Sequence, residues 1–251
     1  MSTFPPPPSE APVLTHWPSQ LRFWIPSVAL LWLDLWSKRW AFSVLDPDHS
    51  YDAIPGFVEF RRSLNDGAVF GSFTGYVSVF IVASILALLF VFYLFAKSTR
   101  RQWGLQMALS MILSGAIGNL YDRAFIQADI VRFPDSKRPR PSRIGTLVEE
   151  PKDGVILHGD YPDGANPIAY KTDEVTLHRQ GVVRDYIKFT LRFPKSWPRL
   201  GGYDVWPWIF NVADAALVCG VIVLLLHCLF ERRPPTGKPS TDGEPPLVRA
   251  G

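Results

Sequence analysis

Cysteine is nearly absent from this 251-residue chain, which has only Cys219 and Cys228, both in one apolar stretch. No disulfide framework can be built from them. The five histidines fall into neither an H-E-x-x-H pattern nor any Cys/His spacing, so no metal site and no cofactor is implied. An excess of one charge is also missing. The formal net charge of +3 is small and scattered, which argues against a nucleic-acid partner. The averages, 47% apolar and 20% charged, would suit an ordinary soluble protein. The residues are sorted into blocks, however, and the apolar blocks have membrane length.

Both ends lack the apolar content that a fold needs. Phe4-Pro5-Pro6-Pro7-Pro8 lies in a first tail, residues 1–20, and Arg232-Arg233-Pro234-Pro235 lies in a second, residues 231–251. Such segments cannot bury enough surface to offset their ordering entropy, so both are expected to be disordered and solvated.

A bilayer core of ~30 Å takes about 20 mostly apolar residues of helix. Four segments qualify, 21–42, 75–96, 103–126 and 208–230, and the expected fold class is an all-α membrane protein with four transmembrane helices and a small extracytoplasmic β-rich region. The first segment is not a cleavable signal peptide: it follows a long polar lead, lacks a small-x-small site and carries Asp34, Lys38 and Arg39. Trp17, Trp24, Trp36, Trp40, Trp103, Trp206 and Trp208 gather near the segment ends, as in interfacial belts. The short connection Lys97-Ser98-Thr99-Arg100-Arg101 and the pair Arg232-Arg233 are basic, which assigns them to the cytoplasmic side. Both tails are then cytoplasmic. The long connections, 43–74 and 127–207, face outward.

Ionisable residues inside apolar segments are costly and default to functional hypotheses. With this topology, Asp34 and Lys38, then Asn119, Asp122 and Arg123, then Asn211 and Asp214 all come to one outer face. A water-accessible site near that face is expected. Simpler roles exist: Asp34 and Lys38 stand at i, i+4 and can pair on one helix face, Asp122 and Arg123 can cap a helix or pair across helices, and Asn119 and Asn211 can be interhelical hydrogen-bond glue. Asp214 has no basic neighbour within a turn or two of its own segment. A proton- or ion-coupled transporter using the buried acids is the alternative reading, although a relay would spread acids through the membrane depth.

Four stretches resemble the motifs of the lipoprotein signal peptidases (signal peptidase II). Leu33-Asp34-Leu35-Trp36-Ser37-Lys38 is similar to D-x-x-[ST]-K, and Asn65-Asp66-Gly67-Ala68-Val69-Phe70-Gly71 to N-x-G-A-x-[FW]-G. Gly115 to Arg123 follows G-x-x-G-N-x-x-D-R, and Phe210-Asn211-Val212-Ala213-Asp214 follows F-N-x-A-D. The family places G-x-V-x-D-F within about ten residues of the D-R pair. Here Asp129 stands at that distance, but Ile130-Val131-Arg132 does not continue the pattern. Gly181-Val182-Val183-Arg184-Asp185-Tyr186 matches it better, with Tyr for Phe. Residues 127–180 are then an insertion, expected to be β-rich, with strands near Val155–His158 and Val175–His178. The units become 1–20, 21–126 with its outer loop 43–74, 127–180, 181–230 and 231–251.

The resemblance implies a membrane aspartic endopeptidase of the bacterial inner membrane. Its substrates would be diacylglyceryl-modified prolipoproteins, cut on the N-terminal side of the lipidated cysteine, and its other partners membrane lipids. A monomer is expected. Asp185 and Asp214 would be catalytic. Asn65, Gly67, Asn119, Arg123 and Asn211 would bind or orient substrate, and Asp34, Lys38 and Asp122 would give structural support. Two close carboxylates suit such chemistry, because like charges a few ångströms apart do not both ionise easily, leaving one acid and one base.

Overall fold

The structure is a computed structural model that describes residues 13–67, 77–134 and 142–230. Residues 1–12 of the first tail, the whole second tail 231–251, the loop element Ala68–Gly71 and residues 135–141 lie outside the described residues, whereas residues 13–20 hold a 3-10 turn, Val13–Thr15, and the start of the first helix. Four helices carry the fold: α1 (Trp17–Val44), α2 (Val77–Lys97), α3 (Trp103–Phe125) and α4 (Val212–Phe230).

The expectation of an all-α chain with four transmembrane helices is overturned. Among the described residues nine strands form two antiparallel sheets. Among the described helices only α4 is long and apolar enough to cross a membrane. In α2 the apolar helix is the shorter Ile81–Lys97. The reason in α1 and α3 is their cargo of charged and amide groups. Asp34 and Lys38 on α1, and Gln106, Asn119 and Asp122 on α3, are buried against neighbouring elements. They are neither absent nor displayed to the surroundings.

The first sheet uses the connection between α1 and α2. Strands β1 (Tyr51–Ile54) and β2 (Val58–Asn65) form a hairpin, β2 pairs with β8 (Val183–Phe189), and β8 pairs with β9 (Ile209–Phe210). The second sheet lies between α3 and β8 in sequence: β3 (Gln127–Arg132), β4 (Arg143–Lys152), β5 (Val155–Asp160), β6 (Ala165–Lys171) and β7 (Thr176–Gly181), in spatial order β6-β5-β4-β3-β7. Ile130 and Ala128 project from one face of β3 onto Val182 and Leu64, which ties this sheet to the first. Val131 projects from the opposite face onto Ile156 and Val175. That alternation is the strand period of two.

Helix packing is set by small residues. A Cβ at Gly118 would overlap Asp34 Oδ2 and lie 3.2 Å from Ala213 Cβ, so only glycine lets α1, α3 and α4 converge there. Toward the other end Phe23, Val91, Phe95, Leu109 and Leu113 form an apolar core, with Phe23 stacked on Phe95 at 4.0 Å. The apolar contacts fasten one end of the bundle, and the buried charged residues of the helices, Asp34, Lys38 and Asp122, gather at the end that meets the sheets.

Candidate active site

Strand β8 brings Asp185 to the top of the bundle. Its partner across β2 is Ser63, and Asn65, two residues along on the same face, donates from Nδ2 to Asp185 Oδ2 at 3.1 Å. Asn65 Oδ1 accepts the Gly67 backbone N–H at 2.9 Å, closing a turn in which Gly67 takes a φ of 86°. Left-handed backbone of this kind suits glycine. On the other side of β8, Ile187 pairs with Phe210, which sets Asn211 and the first turn of α4 beside the acid.

Asn211 is the N-cap of α4. Its Oδ1 accepts the Asp214 backbone N–H at 3.0 Å, and Asp214 Oδ2 accepts the Asn211 backbone N–H at 3.2 Å. This is a reciprocal capping box with aspartate at the third helical position. The Asn211 amide reaches outward as well, donating to Asp185 Oδ1 at 2.7 Å and to Asn119 Oδ1 at 3.1 Å. Asn119 in turn donates to Asp214 Oδ1 at 2.7 Å. Three amide side chains therefore hold all four carboxylate oxygens of Asp185 and Asp214, with one backbone N–H.

Both acids line a cleft of about 650 Å³ walled by Ser63, Asn65, Trp206, Trp208 and Phe210. Asp185 is buried, at 2% exposure, whereas Asp214 is half-buried. Burial, then the neighbouring charge of Asp214, pushes the Asp185 carboxyl up to about 7, against the opposing effects of Asn65, Asn211 and Lys38.

Beneath the pair lies a fully buried ionic layer. Lys38 Nζ stands 2.8 Å from Asp34 Oδ2, 3.6 Å from Asp122 Oδ2 and 3.0 Å from Asn119 Oδ1. Asp34 Oδ1 accepts the Ala213 N–H at 2.8 Å, so this i, i+4 pair also fixes the start of α4. Asp122 clamps Arg184. Its Oδ1 takes Nη2 at 2.7 Å, and its Oδ2 takes Nε at 3.2 Å and the Arg184 backbone N–H at 3.0 Å. A two-pronged guanidinium–carboxylate pair of this kind is geometrically demanding. It fixes the residue immediately before Asp185. Arg123 lies within Coulombic range of Asp214, Asp185 and Asp122.

The sites expected from sequence are thus mostly brought together. Asn65, Asn119 and Asn211 touch the two acids, Asp34, Lys38 and Asp122 form the layer below, Arg123 flanks it, and Gly67 shapes the Asn65 turn. Asp129 is placed elsewhere. It lies on β3, where its Oδ2 accepts the Leu147 N–H at 2.9 Å within the second sheet. Sequence reasoning missed Arg184. The available signal was a cation directly before the acid in the strand motif Gly181-Val182-Val183-Arg184-Asp185. It also missed the cleft walls, Trp206 and Trp208, which it had assigned to the membrane interface.

The arrangement can be compared with known proteins. A family model described as signal peptidase (SPase) II matches residues 27–230. The lipoprotein signal peptidase of Rhodopirellula baltica is 31% identical over 216 residues, covering 82% of this chain and 70% of that protein. That of Desulfitobacterium hafniense is 27% identical over 184 residues, covering 73% and 77%. A bacterial membrane enzyme solved by the in meso method at 2.3 Å resolution superposes with a TM-score of 0.53 at 20% identity, covering 94% of this chain and 96% of that one. At that identity the likeness concerns the fold alone.

Proposed function

The chain belongs to the signal peptidase II family, a family of lipoprotein signal peptidases, and from that membership we propose that it is an aspartic endopeptidase using Asp185 and Asp214. The substrates are diacylglyceryl-modified bacterial prolipoproteins, and the cut falls on the N-terminal side of the lipidated cysteine. The observation that carries the reading is the meeting of these two acids on one cleft, held by Asn65, Asn119 and Asn211.

Proximity and burial favour a pair that shares one proton. Asp185 and Asp214 line one cleft beside a further buried acid, Asp66, and like charges so close do not both ionise easily. An uncompensated buried charge is expensive, so the second acid is best kept neutral. Asp185 is the more deeply buried of the two, which favours its neutral form, so it holds the proton. The ionised Asp214 takes a proton from an attacking water, and neutral Asp185 hydrogen-bonds to the scissile carbonyl oxygen as charge develops on it. Asn65 and Arg123 orient the peptide at the rim.

The enzyme works as a monomer in the inner membrane, passing it more than once. The cleft, at the start of α4, lies near the outer face, and the basic connection Lys97, Arg100 and Arg101 lies on the cytoplasmic side. The second sheet is an elaboration of the outer loop, inserted between two halves of one family motif, 127–180. The test is cleavage of a lipid-modified precursor by purified protein: a product beginning at the lipidated cysteine supports the reading, and no cleavage of any modified precursor overturns it.

A further inference from the structure

Between β8 and β9 the chain makes a finger that the proposed chemistry does not use. Residues 191–193 run antiparallel to 203–205. Val205 N–H donates to Leu191 O at 2.8 Å, Phe193 N–H to Tyr203 O at 3.0 Å and Gly202 N–H to Phe193 O at 3.0 Å. Arg192 Nε meets Asp204 Oδ1 at 2.9 Å across the stem. At the tip, Trp197 N–H donates to Pro194 O and Gly201 N–H to Trp197 O, and Phe193 stacks on Trp197 at 5.5 Å. The finger is therefore internally bonded and shaped, which a loose connection would not be.

Its surface is apolar nonetheless. Trp197, Leu200, Tyr203 and Trp206 are all exposed, Tyr203 at 68%. A soluble protein rarely displays so dense an aromatic group without a partner. Lys195 and Arg199 are exposed beside them, and the finger's only acid, Asp204, is engaged by Arg192 and Lys188. Exposed tryptophan and tyrosine interleaved with uncompensated cations is the composition of a surface that rests in lipid headgroups. The finger also runs through Trp206, Pro207 and Trp208 into α4, the helix long and apolar enough to cross a membrane. Its base is a wall of the cleft.

We propose that the finger, residues 191–206, docks on the outer leaflet, with Trp197 and Leu200 inserted at the headgroup boundary and Lys195 and Arg199 bound to anionic phospholipid. The occupant is a lipid surface of negative charge. Docking there holds the Trp206–Trp208 wall of the cleft at the depth where an acyl-bearing substrate resides. The assignment rests on the membrane location of the enzyme and is independent of which residues are catalytic.

The test is physical and needs no activity. The full chain, with Cys219 and Cys228 changed to Ala, takes a nitroxide at Leu200→Cys and, as a control, at the exposed Thr172→Cys. Accessibility to oxygen and to a water-soluble nickel chelate is compared in vesicles of phosphatidylcholine with and without phosphatidylglycerol. The label at 200 is expected to prefer oxygen in anionic vesicles, while the label at 172 prefers nickel. Lys195→Glu with Arg199→Glu should lower the oxygen-to-nickel ratio at 200 by roughly fivefold or more. A label at 200 as open to nickel as that at 172 overturns the docking. A label equally embedded without phosphatidylglycerol, and indifferent to charge reversal, overturns the assignment to anionic lipid.

Discussion

Asn211 donates to Asp185 at 2.7 Å with the same side chain whose oxygen caps α4 through the Asp214 backbone N–H. One residue therefore positions both acids, by two separable bonds. Asn211→Ser keeps a capping oxygen and loses the donor to Asp185, whereas Asn211→Ala loses both. The serine variant should cleave more slowly and lose about 1–3 kcal/mol of stability, because the buried acceptors on Asp185 and Asn119 lose their donor. The alanine variant should lose a similar amount of activity and about a further 1 kcal/mol of stability with the cap. Thermal melts in detergent, read beside initial rates, separate the two effects.

Arg184 holds β8 through Asp122, and the guanidinium fork is what fits. Arg184→Met should cost about 1.5–3 kcal/mol, the range for hydrogen bonds to a charged group. It should also slow cleavage, because Asp185 is the next residue. Arg184→Lys should not restore either, since an ammonium cannot engage both oxygens of Asp122 in the same plane. Melting temperature and kcat of the two variants check this.

Glycine at 118 is required by close approach. Gly118→Ala would press its methyl group on Asp34, loosening the bond from Ala213 N–H, and should destabilise by about 1–3 kcal/mol. Gly104→Ala is the contrast. A Cβ there meets only His227 Nδ1 at 3.6 Å, an ordinary contact, so the melting temperature should hold or rise slightly.

The pH profile follows from Asp185. The working pair carries one proton, so activity should fall as pH rises through about 7, where that proton leaves. The Asn65 amide stabilises the ionised form, so its removal raises the value further. Asn65→Ala should therefore move the alkaline limb upward while lowering the maximal rate. A rate-against-pH curve for both proteins checks the sign. A limb that moves downward would remove Asn65 from contact with the acid.

Much of the site was legible in sequence, but unevenly. Phe210 to Asp214 is contiguous, so the acid and its cap could be read together. Asp185 required joining Asp122-Arg123 to Gly181-Val182-Val183 across an intervening sheet. The structure explains why those ends meet: Val182 N–H donates to Ile126 O at 3.0 Å, and a Cβ at Gly181 would overlap Arg123 O. The first sheet was not legible. Val58–Asn65 carries Glu59, Arg61 and Arg62 and reads as loop, and its strand state comes from pairing with β8 more than a hundred residues away. The four-span reading failed because it counted length more than charge. α1 carries Arg22, Asp34, Lys38 and Arg39, α3 carries Asp122 and Arg123, and among the described helices only α4 is apolar enough over the length of a span.

Asp185 and Asp214, and not Asp129, are the proposed catalytic acids. Purified wild-type protein and the variants Asp185→Asn, Asp214→Asn and Asp129→Asn, each confirmed as folded by its melt, should be given a diacylglyceryl-modified precursor. Cleavage should fall by at least about a thousandfold in the first two variants and stay near the wild-type rate in the third. Cleavage that survives Asp185→Asn and disappears with Asp129→Asn would contradict this assignment.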